Sequence, residues 1–145
     1  MSDPTPGGFT EQELDYYSRQ IVLREFGLEG QRRLKNAKAC VVGAGGLGSP
    51  ILTQLASMGV GTLRIIDRDV VEASNLQRQH LYGMHQLGLP KAEAAEDRLH
   101  QINPFIEVKP IPLSVTHGNA ERLIEGSDIV VDGLDSMAAR YAVNR

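Results

Sequence analysis

Ala39-Cys40-Val41-Val42-Gly43-Ala44-Gly45-Gly46-Leu47-Gly48 is the stretch that decides how this chain folds. A short apolar run stops at a glycine-rich turn. Beyond it Leu47, Ile51, Leu52, Leu55 and Met58 recur at helical spacing, and Gly59 provides a stop. The pattern predicts a strand, a tight turn and a helix. Gly43 allows the turn, Gly45 lets backbone N–H groups approach phosphate oxygens, and Gly48 permits close helix–strand packing. The N-terminus of the helix offers partial positive charge to an anion. Gly43, Gly45, Gly46 and Gly48 are therefore candidate contacts for a nucleotide.

Working outward, further apolar runs cover Thr62–Ile66, Ile106–Ile111 and Asp128–Val131. A helical stripe of Ala92, Ala95, Leu99 and Ile102 ends at Asn103-Pro104. Asn119 is placed to cap a short helix through Ile124, closed by Gly126. Upstream, Leu14, Tyr17 and Ile21 suggest a leading helix and Gln31-Arg32-Arg33-Leu34 a second. Strand–helix–strand alternation implies a Rossmann-like, doubly wound α/β fold with a mainly parallel sheet, preceded by N-terminal helices. Residues 1–10, with Pro4, Pro6, Gly7 and Gly8, are expected to be a disordered tail, and residues 11–145 one domain. Four strands are fewer than a complete doubly wound sheet, and Ser136–Arg145 opens a helical pattern with no closing element. The expectation is a fold incomplete at its C-terminus. Val70 to Pro90 carries no clear periodicity, and long loops in compact domains are usually functional.

Composition excludes several classes. A net charge of −3 gives no electrostatic case for nucleic acid. No apolar run approaches the roughly 20 residues that span a bilayer, so no membrane partner is expected. The single cysteine, Cys40, rules out an internal disulfide or a cysteine-based zinc site and fits a reducing, cytoplasmic setting. Its place in an apolar run marks an inert core thiol. His80, His85, His100 and His117 show no metal-ligand spacing and are expected to be surface or packing residues.

Asp67 ends the second strand, 24 positions after Gly43, where a carboxylate can accept hydrogen bonds from a ribose hydroxyl. The glycine turn and Asp67 suit a dinucleotide such as NAD equally well. The next segments argue for a triphosphate. Ser74-Asn75-Leu76-Gln77-Arg78-Gln79 and Leu87-Gly88-Leu89-Pro90-Lys91 supply Arg78 and Lys91, cations that a diphosphate already met by the glycine turn has little need of. The fourth strand ends in Asp132-Gly133-Leu134-Asp135, and a carboxylate there can hold Mg2+ against phosphates. Each residue has a plainer alternative: Arg78 a surface ion-pair partner, Lys91 a solvated first-turn residue, Asp135 a helix cap. Together, on loops at one edge of one sheet, they favour a triphosphate site.

Tyr17-Ser18-Arg19-Gln20-Ile21, the Gly43–Gly48 turn, Asp67, Asn75-Leu76-Gln77-Arg78-Gln79, Pro90-Lys91 and the Asp132–Asp135 strand end carry a resemblance. Over about residues 11 to 145 the chain resembles the ThiF/MoeB/HesA family, relatives of the ubiquitin-activating enzymes. The resemblance implies an ATP-dependent adenylation of the C-terminal glycine carboxylate of a ubiquitin-like sulfur carrier. Matching positions would give Asp67 the ribose and Asn75, Gln77, Arg78 and Lys91 the phosphates. Asp135 would hold Mg2+, and Arg19 would reach the γ-phosphate in the neighbouring subunit of a homodimer. Arg19, Arg78, Lys91 and Asp135 are the expected catalytic set. The family's second half, with its paired-cysteine zinc site and downstream nucleophilic cysteine, is not encoded in this chain. No thioester or persulfide step is assigned. The competing expectations are a non-catalytic nucleotide-binding subunit and an NAD-dependent oxidoreductase.

Overall fold

The computed structural model describes residues 6–134 and 142–144. Its sheet has four parallel strands, β1 (Lys38–Val42), β2 (Thr62–Ile66), β3 (Glu107–Ile111) and β4 (Ile129–Asp132), in the order β3-β2-β1-β4. β1 is central, with Val41 opposite Ile65 on one side and Val131 on the other. Its residues from Ala39 to Val42 are all buried, as expected of a strand covered on both faces. The chain steps outward from β1 to β2 and β3, then returns to the other flank of β1 as β4. That reversal opens a crevice at the carboxyl ends of β1 and β4, the position where doubly wound sheets bind ligands.

Six helices flank the sheet among the described residues: α1 (Glu11–Tyr16), α2 (Ser18–Ile21), α3 (Gly27–Asn36), α4 (Gly48–Met58), α5 (Lys91–Ile102) and α6 (Ala120–Ile124). Leu52 and Ala56 of α4 and Ala92, Ala95 and Leu99 of α5 pack on Val41, Leu63 and Ile65. On the opposite face Cys40, Val42 and Ile66 meet Leu123 of α6. No helix of the described residues is long and apolar enough to cross a membrane.

Four local expectations change. The leading helix through Leu14 and Ile21 is two short helices broken at Tyr17 (φ −93°, ψ 7°). The break buries the Tyr17 ring, whose hydroxyl accepts a 2.8 Å hydrogen bond from Asn103 Nδ2. Thr10 and Glu13 form the capping box that starts α1, and Phe9 just before it is only 1% exposed, so packed structure begins inside the stretch expected to be loose. Asn119 precedes α6 but does not cap it through its side chain. Its Oδ1 accepts from Thr116 N–H and its Nδ2 donates to Ser114, which shapes the preceding turn. Asp128, expected inside the fourth strand, precedes it and ties its carboxylate to Lys38 N–H at 2.8 Å.

Candidate nucleotide-binding site

A cleft of about 890 Å³ opens at the switch point, with Gly43, Gly45 and Gly46 on its floor. Gly43 has φ +97°, and a Cβ there would come within 2.7 Å of the Gly133 carbonyl oxygen. A methyl on Gly48 would overlap the Gly43 carbonyl. These two glycines let β1, α4 and β4 meet in one tight junction. Gly48 therefore packs and does not line the cleft, whereas a Cβ on Gly46 would face open space. Among the described residues the N–H groups of Gly45 and Gly46 donate to nothing, at the mouth of α4.

Asp67 orients this turn. Its Oδ2 accepts Ala44 N–H at 2.8 Å and its Oδ1 accepts Asp69 N–H at 2.7 Å. Each carboxylate oxygen has a second lone pair, so the group lining the cleft can still accept from a ribose. The 70–90 loop is closed at its base by a bridge between Val70 and Pro90. Within it Asn75 is buried, and its Oδ1 accepts Glu72 N–H at 3.1 Å, leaving the amide NH2 for a ligand. Arg78 is exposed, donates to Ser74 carbonyl at 3.1 Å and lines the cleft. Gln77 also bonds Ser74 but does not line it. Gln79 does: it is buried, its Oε1 has no hydrogen-bond partner, and its Nε2 lies 3.4 Å from where a Cβ on Gly45 would stand.

Lys91 is the most informative residue. It opens α5 directly after Pro90, and its N–H donates to Asp69 carbonyl at 2.8 Å. It is 5% exposed, so it is not the solvated first-turn lysine that the sequence allowed. Among the described residues its ammonium has no ion pair and no hydrogen bond. It lines the cleft together with Asn75 and Arg78, and Lys91 and Asn75 also line, with Arg68, Asp69, Val70 and Glu72, an adjoining recess of about 460 Å³. A buried charge without a partner is costly unless a ligand of opposite charge completes it.

The remaining expected residues divide. Arg19 is exposed on α2 and does not line the cleft. Asp135 lies outside the described residues, while Asp132 ends β4 with Oδ1 accepting Leu134 N–H at 2.9 Å. His80, His85, His100 and His117 are all exposed, and His117 stands on the cleft wall. Cys40 is buried, and burial pushes its thiol above the ordinary range. No sequence signal assigns a role to Gln79, to Tyr82 or to the wall formed by residues 113–117 after β3. That wall has no signature of its own, since Leu113-Ser114-Val115-Thr116-His117 is an ordinary loop stretch.

A switch-point crevice floored by a glycine turn, with an acid at the next strand end and a buried cation unpaired among the described residues, defines a nucleotide-binding domain of the doubly wound class. The chain belongs to the ThiF family, which it matches over residues 17–145. It is 46% identical over 136 residues to a sulfur carrier protein adenylyltransferase of Thermus thermophilus, covering 94% of this chain and 50% of that protein. It is also 46% identical over 135 residues to the probable adenylyltransferase/sulfurtransferase MoeZ of Mycobacterium tuberculosis, covering 93% and 34%. Among solved structures, the E. coli tRNA N6-threonylcarbamoyladenosine dehydratase TcdA in complex with ATP superposes with a TM-score of 0.86 at 31% identity, covering 92% of this chain and 55% of that one. The chain thus spans about a third to a half of the length of these curated relatives.

Proposed function

We propose that this chain uses Mg-ATP to adenylate the C-terminal carboxylate of a ubiquitin-like sulfur-carrier protein. The observation that carries the proposal is Lys91, a buried cation with no protein partner among the described residues, in one cleft with the glycine turn, Asp67, Asn75 and Arg78. A phosphate chain is the ligand that supplies the missing negative charge. The choice of carboxylate follows the sulfur-carrier relative, which is more similar to this chain than the tRNA dehydratase is.

The chemistry asks little of the protein beyond placement and charge. A carboxylate oxygen of the carrier attacks the α-phosphorus, an acyl–phosphate bond forms, and the bond to the β-phosphate oxygen breaks to release pyrophosphate. The nucleophile is already ionised, so no general base is required. Lys91, Arg78 and the free N–H groups of Gly45 and Gly46 offset the negative charge on the phosphoryl oxygens. Asp67 takes the ribose, while Asn75 and, from the rim, Gln77 take phosphate oxygens. Mg2+ would add neutralisation between the phosphates. Asp135 would hold it, and carboxylate oxygens of the kind this cleft carries at Asp67 and Asp69 are the donors that ion takes. Arg19 acts across a homodimer on its neighbour's γ-phosphate. Its exposure supports that role, as do the 75% and 58% exposed Val22 and Leu23 beside it, an apolar surface suited to a second copy. The setting proposed is the cytoplasm.

Carrier-dependent exchange of pyrophosphate into ATP tests the proposal. Arg19→Ala and Asp135→Ala proteins should each be inactive alone. Refolded together with random pairing, half the dimers are mixed and each has one intact site, so activity should return to about a quarter of wild type. No recovery, with mixed dimers shown to be present, would refute action in trans. ATP binding without exchange in the wild type would instead favour a non-catalytic nucleotide-binding subunit.

A further inference from the structure

Ala44, the residue between the first two glycines of the turn, is gripped on both sides. Its N–H donates to Asp67 Oδ2 at 2.8 Å, and its carbonyl accepts from the Tyr82 hydroxyl at 2.5 Å and more loosely from the Ser49 hydroxyl at 3.4 Å. That carbonyl shares a peptide unit with the Gly45 N–H. The unit is planar and trans, so the two groups point in opposite directions. Tyr82 is buried in the core beneath the turn, and Gly45 lines the cleft above it, where its N–H has no partner among the described residues.

We infer that Tyr82 is a positioning residue for the nucleotide: its hydroxyl fixes and polarises the Ala44–Gly45 peptide so that the Gly45 N–H is presented to a phosphate oxygen. The inference rests on the nucleotide-binding role proposed above. Accepting a hydrogen bond at the carbonyl draws electron density from the nitrogen and strengthens the N–H as a donor, an effect larger in a dry environment. Burial, with the Asp67 charge second, pushes the Tyr82 hydroxyl's pKa well up, which keeps it a donor at all ordinary pH. Tyr82 also follows Arg78 and Gln79 in one turn, its N–H bonding Gln79 carbonyl at 3.3 Å. The glycine turn and the Arg78 segment are thereby joined into one body, so the backbone donor and the guanidinium keep a fixed separation.

Calorimetric titration of the wild-type chain and Tyr82→Phe with adenosine, AMP and Mg-ATP tests this. Losing the hydroxyl should weaken AMP and Mg-ATP about three- to tenfold and leave adenosine unchanged, because only phosphate meets the Gly45 N–H. Equal affinities in both proteins, or an adenosine loss matching that for AMP, would overturn the inference while leaving nucleotide binding intact. A wild type that binds none of the three would defeat the nucleotide reading itself. A second measurement does not depend on the variant. In the wild type the Gly45 amide proton resonance should move downfield with AMP and not with adenosine, and an unresponsive amide would overturn the inference.

Discussion

Two lysines of this chain sit in opposite circumstances. Lys35, on α3, reaches Glu13 at 3.2 Å, donates to Gly8 carbonyl at 3.0 Å and lies 4.7 Å from the Phe9 ring centroid. Around it every buried polar side chain is answered. Gln31 joins Gln20 and the Met58 carbonyl, and Asn103 joins Tyr17, the Ala56 carbonyl and Phe105 N–H. Lys91, at the carboxyl edge of the same sheet, is more deeply buried and has no partner among the described residues, and beside it the Gln79 oxygen and two glycine N–H groups are also unanswered. The N-terminal face is finished by its own residues. Among the described residues the cleft is not, and polar satisfaction separates the two regions where burial alone does not.

The largest expected effect falls on the finished side. Asn103→Leu removes three hydrogen bonds and leaves the buried Tyr17 hydroxyl and the Phe105 N–H without their partner, so urea unfolding should show a loss of about 3 kcal/mol. Nucleotide affinity of the folded fraction should not change, and a parallel loss of ATP binding would break the distinction between the two regions. Next is Lys91→Met, which keeps the stem and deletes the charge. Mg-ATP affinity should fall by about 1.5–3 kcal/mol, the range of a charge-assisted hydrogen bond. The same variant should unfold no more easily than wild type, because it removes a buried charge with no partner among the described residues. If it unfolds as easily as Asn103→Leu does, Lys91 is structural and the comparison fails.

Much of this was legible in the sequence because the signals are local. The strand–glycine–helix run, Asp67 at the next strand end and Pro90-Lys91 at a helix start each declare themselves within a few residues. The strands of the sheet come within a residue or so of their expected bounds for the same reason. Other features depend on contacts between distant segments. The break at Tyr17 follows from its bond to Asn103, 86 positions away, and Tyr82 matters through Ala44, 38 positions away. Periodicity reports which face of a helix is apolar, but not which carbonyl a buried hydroxyl will meet. Lys91 illustrates the same limit: its type and position pointed to phosphate, while its burial without a partner needed the packed structure.

Thermal unfolding of this chain with saturating Mg-ATP, set against the same protein with NAD, tests the central claim most directly. A ligand at about 100 times its dissociation constant adds about 2.7 kcal/mol of stability. The account predicts a clear rise in Tm with Mg-ATP, a much smaller rise in Lys91→Met, and no rise with NAD. A rise with NAD and none with Mg-ATP would contradict it.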